Sequence, residues 1–517
     1  MEQFDEAVMK AKVILNKSHT VLIVPFTYGK QYVHIGKELT ENGWEICDSQ
    51  NRKNILEHIN ILIPNNPEKK RNGAIGCEYV LNRNFREKHQ LPKNESHNLY
   101  LIIDQKRKFS FKISKISLFL FETQVGFLTY EIMHTDPSLD SIIMTNYYLK
   151  HLNHLYKGSL FSQKEYHFAS ASIDALTEND RTLSSITFSL LGECNVTSYF
   201  ASVTNEPENA LVYNTILLDE NFNLGGNSEE QLGKYIFYLR RTFKESYKPA
   251  PSELELTHNT QILQLFENSF WGVSLEGLSN VVYLTKDPTT NQFFQDNYQT
   301  NLVHSYFYLY MIALHQRYAL LSLNQHAQEL PVSESLNIEE FEEIQNARKK
   351  INYFILRCFF KHVSSVTHQQ RLYELIENTL QIEALKEDLR IELEALSSVA
   401  ELQQYYRIKE NEKEEKRLKA VLEEQKETEQ MNQAIRDKEE QERRERHADT
   451  FLLYSTIFVV ISTITGAWSI LTDFFVKNKQ PLFHFSADIM LLIVSILFIA
   501  LGFISYKQIQ NKWKVKS

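Results

Sequence analysis

The stretch FLLYSTIFVVISTITGAWSIL, residues 451–471, decides the architecture of this chain. It has no charged side chain over 21 residues, so a helix rising about 1.5 Å per residue would extend about 30 Å, the thickness of a bilayer core. A second uncharged stretch, residues 489–506, follows a polar connection that contains Pro481. Two such stretches flanked by charges predict a transmembrane helical hairpin, and a buried hairpin in a soluble core is the alternative.

Lysine and arginine residues flank the predicted hairpin unequally. Arg436, Lys438, Arg443, Arg444 and Arg446 precede it, Lys507, Lys512, Lys514 and Lys516 follow it, and Lys477 and Lys479 lie in the connection. Because cytoplasmic loops carry the excess of basic residues, we expect both termini in the cytoplasm. The resulting segments are a first span at 450–472, an external loop at 473–487, a second span at 488–506 and a cytoplasmic tail at 507–517.

Small and polar residues recur along one face of the first span, in steps of four and three residues. They are Ser455, Val459, Ser462, Gly466, Ser469 and Asp473. Lipid contact does not favour hydroxyls and a carboxylate, whereas a water-filled pore or a helix interface tolerates them. The sequence therefore predicts a pore-lining face or a packing face and leaves these two alternatives open.

Residues 372–449 are predicted to form one long stalk helix, because residues 370–447 contain neither proline nor glycine. Apolar residues at helical spacing in its first half predict packing on other helices; they are Leu385, Leu389, Leu393, Leu396, Val399, Leu402 and Tyr406. From Lys409 onward the segment is highly charged. Pairs of Glu and Lys four residues apart can support a single solvated helix, and a symmetric bundle of stalks is the interpretation that we favour next to a membrane helix.

The preceding residues, 301–371, predict a helical layer. One helix is expected from about Asn301 to Leu330 and another from Asn337, with Pro331 between them. Asn337 and Glu340 have the spacing of a capping box.

Residues 1–300 predict a mixed α/β domain on the cytoplasmic side, and the resemblance given below implies that this domain senses a ligand. Short β-branched or aromatic runs predict strands at 20–26, 60–66, 98–104, 116–122, 125–133, 185–191, 211–219 and 281–287. The runs at 116–122 and 125–133 are separated by Thr123 and Gln124 and predict an antiparallel hairpin. Amphipathic segments between the runs complete the α/β pattern.

Composition and motifs argue against several classes of function. The net charge of −9 does not favour a nucleic-acid-binding surface. No Walker lysine motif, GxSxG elbow, HExxH or dinucleotide fingerprint occurs in the sequence, so we assign no catalytic residue and do not expect an enzyme. Cys47, Cys77, Cys194 and Cys358 lack metal-ligand spacing, so we expect reduced, buried cysteines, no metal site and no cofactor.

Two segments are candidates for binding an anionic ligand. Residues 222–244 place a glycine pair before a helix and the basic residues Arg240, Arg241 and Lys244 near its end, and a glycine-rich helix N-terminus can hold phosphate. An ordinary loop followed by a solvated basic helix end is the alternative. Tyr28 and Lys30 follow the first predicted strand, where ligands gather in open α/β sheets.

The order of segments resembles the CorA superfamily of divalent-cation channels. The run TIFVVISTITGAWSI at 456–470 is similar to the family's TIF…T…AG…GMN segment. Thr456, Ile457 and Phe458 match TIF, Ser462 falls where a pore-lining threonine is usual, and Gly466 falls on the glycine of AG. The family's Gly-Met-Asn tripeptide, which holds hydrated magnesium, falls instead on residues 469–471, SIL.

CorA-like proteins without that tripeptide include membrane effectors associated with type III CRISPR systems. The helices FYLYMIALHQRYALL at 307–321 and INYFILRCFF at 351–360 are similar to those of this subgroup. The resemblance implies a homo-oligomer, expected to be a pentamer, that spans the lipid bilayer of the bacterial inner membrane. It also implies gating by a nucleotide second messenger, such as a SAM–AMP conjugate or an oligoadenylate, in antiviral defence. A magnesium transporter of the CorA family is the first alternative, and a membrane tether that does not conduct is the second.

Overall fold

The computed structural model describes residues 12–29, 32–47, 52–64, 73–89, 91–93, 95, 98–103, 107–152, 167–169, 183–200, 202, 205–222, 228–244, 246–330, 338–477, 492–497, 499–500, 502–504 and 506–507. The chain divides into two compact units, Met1–Tyr406 and Arg407–Ser517.

The first unit is built on one sheet that has twelve strands among the described residues. The strands are β1 (His19–Tyr28), β2 (Trp44–Ile46), β3 (Gly76–Leu81), β4 (Leu99–Ile103), β5 (Arg107–Phe121), β6 (Val125–His134), β7 (His167–Ala169), β8 (Val196–Tyr199), β9 (Leu211–Leu218), β10 (Ile262–Phe266), β11 (Ser269–Val273) and β12 (Gly277–Tyr283). Their main order is β10-β11-β12-β9-β1-β6-β5-β3-β2, while β4 pairs with β5 and β7, and β8 pairs with β1. Among the described pairings only β9 with β12 is parallel.

Helices cover both faces of this sheet. They are α1 (Tyr32–Glu41), α2 (Glu57–Asn60), α3 (Leu139–Lys150), α4 (Leu183–Leu190), α5 (Ser228–Arg241), α6 (Pro251–Leu254), α7 (Pro288–Phe293), α8 (Gln299–Asn301), α9 (Phe307–Gln328), α10 (Ile338–Cys358), α11 (Thr367–Thr379) and α12 (Ile382–Lys477). One apolar core lies between the sheet and α9 to α12. Two further cores lie on the opposite face, under α1, α4 and α5. The predicted α/β domain followed by a helical layer is confirmed.

The predicted hairpin is formed by β5 and β6 and is confirmed. Strands β5 and β6 are antiparallel, and Leu120 lies opposite Gly126. Three residues connect them, and the last, Gln124, has a φ of 63°, the left-handed conformation that typically ends a three-residue hairpin loop.

Two of the predicted strands do not form. Residues 185–191 belong largely to α4, because Leu183, Ile186, Thr187 and Leu190 are buried at the spacing of one helix face, whereas Phe188 is 62% exposed. The alternating pattern of polar and apolar residues was therefore misleading, and the period was that of a helix.

The run at 60–66 is the other wrong prediction. Its described part follows α2 as a turn, and Ile59, Leu62 and Ile63 are buried against α9. The Tyr308 hydroxyl donates a hydrogen bond to the Ile59 carbonyl at 2.5 Å, which ties this turn to the helix.

The long helix begins later than the sequence predicts. Helix α11 ends at Thr379, and α12 begins at Ile382, after Gln381 in a left-handed conformation with a φ of 54°. Leu380 is buried, and its carbonyl oxygen accepts a hydrogen bond from Arg317 of α9. The expected single helix from residue 372 is therefore wrong, because this buried turn separates two helices.

The start of α12 packs as predicted, but only in part. Leu389 and Leu393 are buried, and Leu385 and Leu396 pack against the cores. Val399, Leu402 and Tyr406, which the same pattern predicts to be packed, are 40%, 55% and 62% exposed. These three apolar side chains find no cover within the described part of this chain.

In the second unit the described charged residues of α12 are exposed and pair along the helix. Lys419 contacts Glu415 at 2.9 Å and Arg444 contacts Glu440 at 3.2 Å, each four residues apart with the acid on the N-terminal side. This is the favourable orientation of such pairs. The helix continues without a break through 451–471 to Lys477, so residues 473–477, assigned to the external loop, are helical.

The apolar part of α12 makes it the one helix, among the described residues, that is long and apolar enough to cross a membrane. Residues 492–504 form a shorter apolar helix over their described part. Most of the predicted external loop, residues 478–487, lies outside the described residues, as does Asn337 of the predicted capping box, although α10 begins at the next residue, Ile338.

Candidate functional site

Tyr28, one predicted ligand residue, belongs to the core. Its side chain is 1% exposed, and its hydroxyl donates a hydrogen bond to the carbonyl oxygen of Phe121. The rule that places ligands beyond strand ends holds for parallel sheets, whereas β1 is antiparallel to β6, β8 and β9. The prediction for Tyr28 is therefore wrong, and Lys30 lies outside the described residues.

Arg240 is also in the core, contrary to the prediction that it contacts a ligand. Its side chain is fully buried, and it donates hydrogen bonds to the carbonyl oxygen of Val273 at 2.9 Å and to the side chains of Glu253 and Gln261. Burial lowers the pKa of Arg240 to about 10, against the opposing charge of Glu253. Its charge is neutralised inside the protein, so it is not available for a phosphate.

Of the other two members of this basic cluster, Arg241 is paired with a carboxylate and Lys244 lies near two aromatic rings. Arg241 pairs with Glu253 at 2.7 Å, and the Lys244 ammonium lies 5.6 Å from the centre of the Tyr147 ring and 5.7 Å from that of Tyr247. Helix α5 places the cluster at its C-terminal end, about 20 Å from its N-terminus. A phosphate at the N-terminus would therefore not reach the cluster, and the predicted glycine pair, 225–226, lies outside the described residues.

A different group of charged residues lines a cavity of about 370 Å³ between the sheet and the start of α9. This volume is within the range of small-molecule sites. Its charged and titratable lining residues are His19, Cys47, Arg52, Glu78, Lys115, Glu131 and His304. Phe119, Phe307 and Tyr308 supply aromatic surface.

The cavity results from a change of polarity along one face of β5 and β6. In β5, Phe119 and Phe121 are buried in the core below α9, and the alternation of the strand brings Ser117 to the same face. In β6, Phe127 is buried in that core, while Thr129, two residues on, lines the cavity. The same face is thus apolar at one end and polar at the other.

Arg52 is held at the cavity by neutral partners. Its guanidinium carbon lies 3.8 Å from the centre of the Tyr308 ring, and Nη1 donates a hydrogen bond to the Ile63 carbonyl oxygen at 2.9 Å. Among the described residues no carboxylate pairs with it. A guanidinium that stacks on a ring and keeps free donors is suited to bind a planar or tetrahedral anion.

Four other ionisable side chains at the cavity form two pairs. Lys115 contacts Glu78 at 2.9 Å, and His19 contacts Glu131 at 3.5 Å. Burial alone would lower the pKa of Lys115, but the charge and hydrogen bond of Glu78, together with the charges of Cys47 and Glu131, outweigh it and raise that pKa. Burial would raise the pKa of Glu131, but the hydrogen bond and charge of His19 hold it below its ordinary value. Lys115 and Glu131 are therefore both charged at neutral pH.

The helical wall of the cavity departs from α-helical geometry. Leu302–Tyr306 is π-helical, and it carries Val303 and His304 into the cavity. Burial lowers the pKa of His304, and the charge of Lys115 acts in the same direction, so His304 is neutral at neutral pH. Single π-helical turns inside longer helices are frequent at functional sites.

The polar stripe of the first apolar stretch lies on α12. At 100° per residue, its six members span an arc of about 80°. The hydroxyl of Ser455 donates to the Leu452 carbonyl and that of Ser462 to the Val459 carbonyl, both at 2.9 Å. These two hydroxyls therefore have partners on their own helix. Whether this face lines a pore or packs on another helix stays a prediction.

Sequence reasoning missed Arg52, Lys115 and His304. A usable signal was present in β5, where Lys115 and Ser117 interrupt an apolar strand on the face that carries Phe119. For Arg52 and His304 the sequence holds no comparable signal, because neither belongs to a strand pattern.

Among the described residues, Cys77, Cys194 and Cys358 form no disulfide and are buried as predicted, while Cys47 is partly exposed. No group of three or more potential metal ligands occurs among the described residues. Comparison of the chain with protein-family models, curated proteins and solved structures gave no match. The candidate site is therefore defined by the residues of this chain alone.

Proposed function

We propose that this protein is a membrane effector in which a small nucleotide messenger, bound by the cytoplasmic α/β unit, opens a channel formed by the apolar helices of several copies. The observation that carries the proposal is the cavity at Arg52, which combines free positive charge with aromatic surface in a chain that also contains an apolar helix of membrane length. The resemblance of residues 456–470 to CorA-like proteins supports the channel. The departure at residues 469–471 favours an effector of type III CRISPR defence over a magnesium transporter.

The size of the cavity bears on the ligand. A volume of about 370 Å³ is near the lower end of the range for ligand pockets. It suits one nucleotide unit, so a larger messenger such as a SAM–AMP conjugate or an oligoadenylate would place only one of its units there.

Coupling to the long helix would use α9. This helix carries Phe307 and Tyr308 at the cavity, and further along it Gln316 and Arg317 bond to the carbonyl oxygens of Cys358 and Leu380. Leu380 belongs to the turn before α12. A ligand that binds the open and closed states with different affinity could therefore act on α12 through one helix.

The test is binding of a panel of nucleotide messengers to the full chain in detergent, measured by titration calorimetry. Arg52→Gln should weaken binding about 10- to 100-fold, since hydrogen bonds to charged groups contribute about 1.5–3 kcal/mol. Lys244→Gln, a cation outside the cavity, is the matched control and should leave binding unchanged. Loss of binding in Lys244→Gln but not in Arg52→Gln would instead assign the ligand site to the basic cluster of Arg240, Arg241 and Lys244.

The channel is tested in liposomes. Ion flux should be low until the messenger that binds in the calorimetry experiment is added. Magnesium flux without any messenger, together with growth of magnesium-starved cells, would instead support the transporter.

A further inference from the structure

The fixed charges of the cavity sum to zero when its histidines are neutral. Arg52 and Lys115 are the cations, and Glu78 and Glu131 are the anions. An incoming anion would therefore gain no net attraction from the cavity as it stands, and a poorly compensated charge in a half-buried site is costly. Tight binding of an anionic ligand therefore requires that one carboxylate of the cavity be displaced from its cationic partner.

Glu78 is the carboxylate in the position to be displaced. Its side chain is 11% exposed, and it contacts the Lys115 ammonium, which is 41% exposed, at 2.9 Å. The same ammonium lies 3.9 Å from the sulfur of Cys47. Among the described residues Glu78 is the one carboxylate in ion-pair contact with Lys115, while Arg52 at the same cavity has no carboxylate partner.

Glu131 is less easily displaced from its partners. It pairs with His19 at 3.5 Å, and its neighbours on the facing strand include Lys115, which lies opposite it in the pairing of β5 with β6. Two cationic or protonatable partners hold it, whereas Lys115 is the one partner of Glu78 in an ion pair of the described residues.

We propose that Glu78 acts as an internal competitor for the ligand's phosphate, so that the phosphate binds to Arg52 and Lys115 only by displacing Glu78 from Lys115. This inference rests on the proposed function, and it names the ligand group as a phosphate monoester. The Lys115–Glu78 pair then lowers the affinity of the resting protein and keeps it silent at low messenger concentration. It also makes Arg52 the first contact and Lys115 the second.

If Glu78 competes with the phosphate, removing its charge should strengthen the binding of a phosphate monoester. In Glu78→Gln the amide keeps the shape of the side chain and removes its charge, which leaves Lys115 free for the phosphate. We expect the affinity for adenosine monophosphate, the probe, to rise about tenfold at constant pH and ionic strength. Glu220→Gln, which removes an exposed charge outside the cavity, is the control and should bind as the unmodified protein does.

Lys115→Met is the second variant. It distinguishes a gain in affinity that comes from Lys115 from one that comes from a change in folding. It removes the second contact and should abolish the gain when combined with Glu78→Gln. Adenosine, which lacks the phosphate, should bind all variants alike. Circular dichroism of each variant gives the folded fraction, to which affinities are normalised.

Unchanged or weaker binding of adenosine monophosphate to folded Glu78→Gln would overturn the proposal, as would no binding to any variant. The proposed function would survive the first result if the messenger panel still bound in an Arg52-dependent way. It would fail separately if no panel member bound or opened the channel.

Discussion

Arg240 and Arg52 carry the same side chain but lie in opposite environments. Arg240 is surrounded by the Glu253 carboxylate, the Gln261 amide and a backbone carbonyl, which compensate its charge. Arg52 lies on the ring of Tyr308 and bonds to neutral oxygens. A cation with neutral partners keeps its charge for a ligand, whereas the charge of a buried cation paired to a carboxylate is compensated within the fold.

Buried histidines make the first unit sensitive to acid. The His315 ring stacks on Phe121 at 3.9 Å, and its Nε2 lies 2.9 Å from the Thr123 hydroxyl. Burial lowers the pKa of His315 to about 3 and that of His134 to about 4. Below pH 6.5 the unfolded chain binds protons at these positions and the folded chain does not. The free energy of unfolding should therefore fall by about 1.4 kcal/mol per pH unit for each histidine, between pH 6.5 and the folded-state pKa.

We therefore predict that His315→Phe, which keeps the ring stack, will flatten the decline in melting temperature of the full chain between pH 7 and pH 5. The exposed His362→Gln is the control and should keep the original slope. Identical slopes in all three proteins would mean that His315 takes up a proton in the folded state.

At the scale of elements, the turn between α11 and α12 sets where the long helix starts. Gln381 adopts a left-handed φ of 54° there, a conformation that costs a non-glycine residue roughly 1–2 kcal/mol. Glycine removes this strain, although it also increases the entropy of the unfolded chain.

We predict that Gln381→Gly will raise the free energy of unfolding of the first unit by up to about 1 kcal/mol, and that Gln381→Val will lower it by at least as much. Urea unfolding followed by near-ultraviolet circular dichroism measures both. A helix running unbroken through residue 381 would give the opposite sign for glycine, because glycine destabilises a helix interior.

The stripe on the apolar part of α12 yields a second prediction at this scale. If it lines a pore, Ser462→Leu adds a ring of apolar side chains at the axis and should reduce messenger-dependent ion flux at least about tenfold. Ile461→Leu changes a neighbouring position off the stripe and should leave the flux intact. Similar flux from both variants, at equal assembly by gel filtration, would assign the stripe to helix packing.

For the whole molecule, the unequal distribution of basic residues predicts the topology. Cysteine placed at Asn478 should react with a membrane-impermeant maleimide in intact cells, whereas cysteine placed at Ser517 should react only after lysis. Cys47 is an internal control, because burial raises the pKa of its thiol to about 11 and it is expected on the cytoplasmic side. It should label only after the cells are lysed and the protein is denatured. Labelling at Ser517 but not at Asn478 in intact cells would invert the orientation.

The sequence by itself determined the elements whose signals are local. The hairpin of β5 and β6, the helices of the layer and the charged long helix follow from hydrophobic period and from the absence of proline and glycine, which act over a few neighbouring residues. The same local signals misassigned residues 60–66 and 185–191, where burial at helical spacing prevailed over β-branched composition.

Only the tertiary structure decided which charges are available. Arg52, Lys115 and His304 come from separate segments and meet at one cavity, while Arg240 points inward and pairs with Glu253 of the neighbouring helix α6. Pairing depends on distances through space and on the loss of water around each group. Neither quantity is encoded in the spacing of residues along the chain.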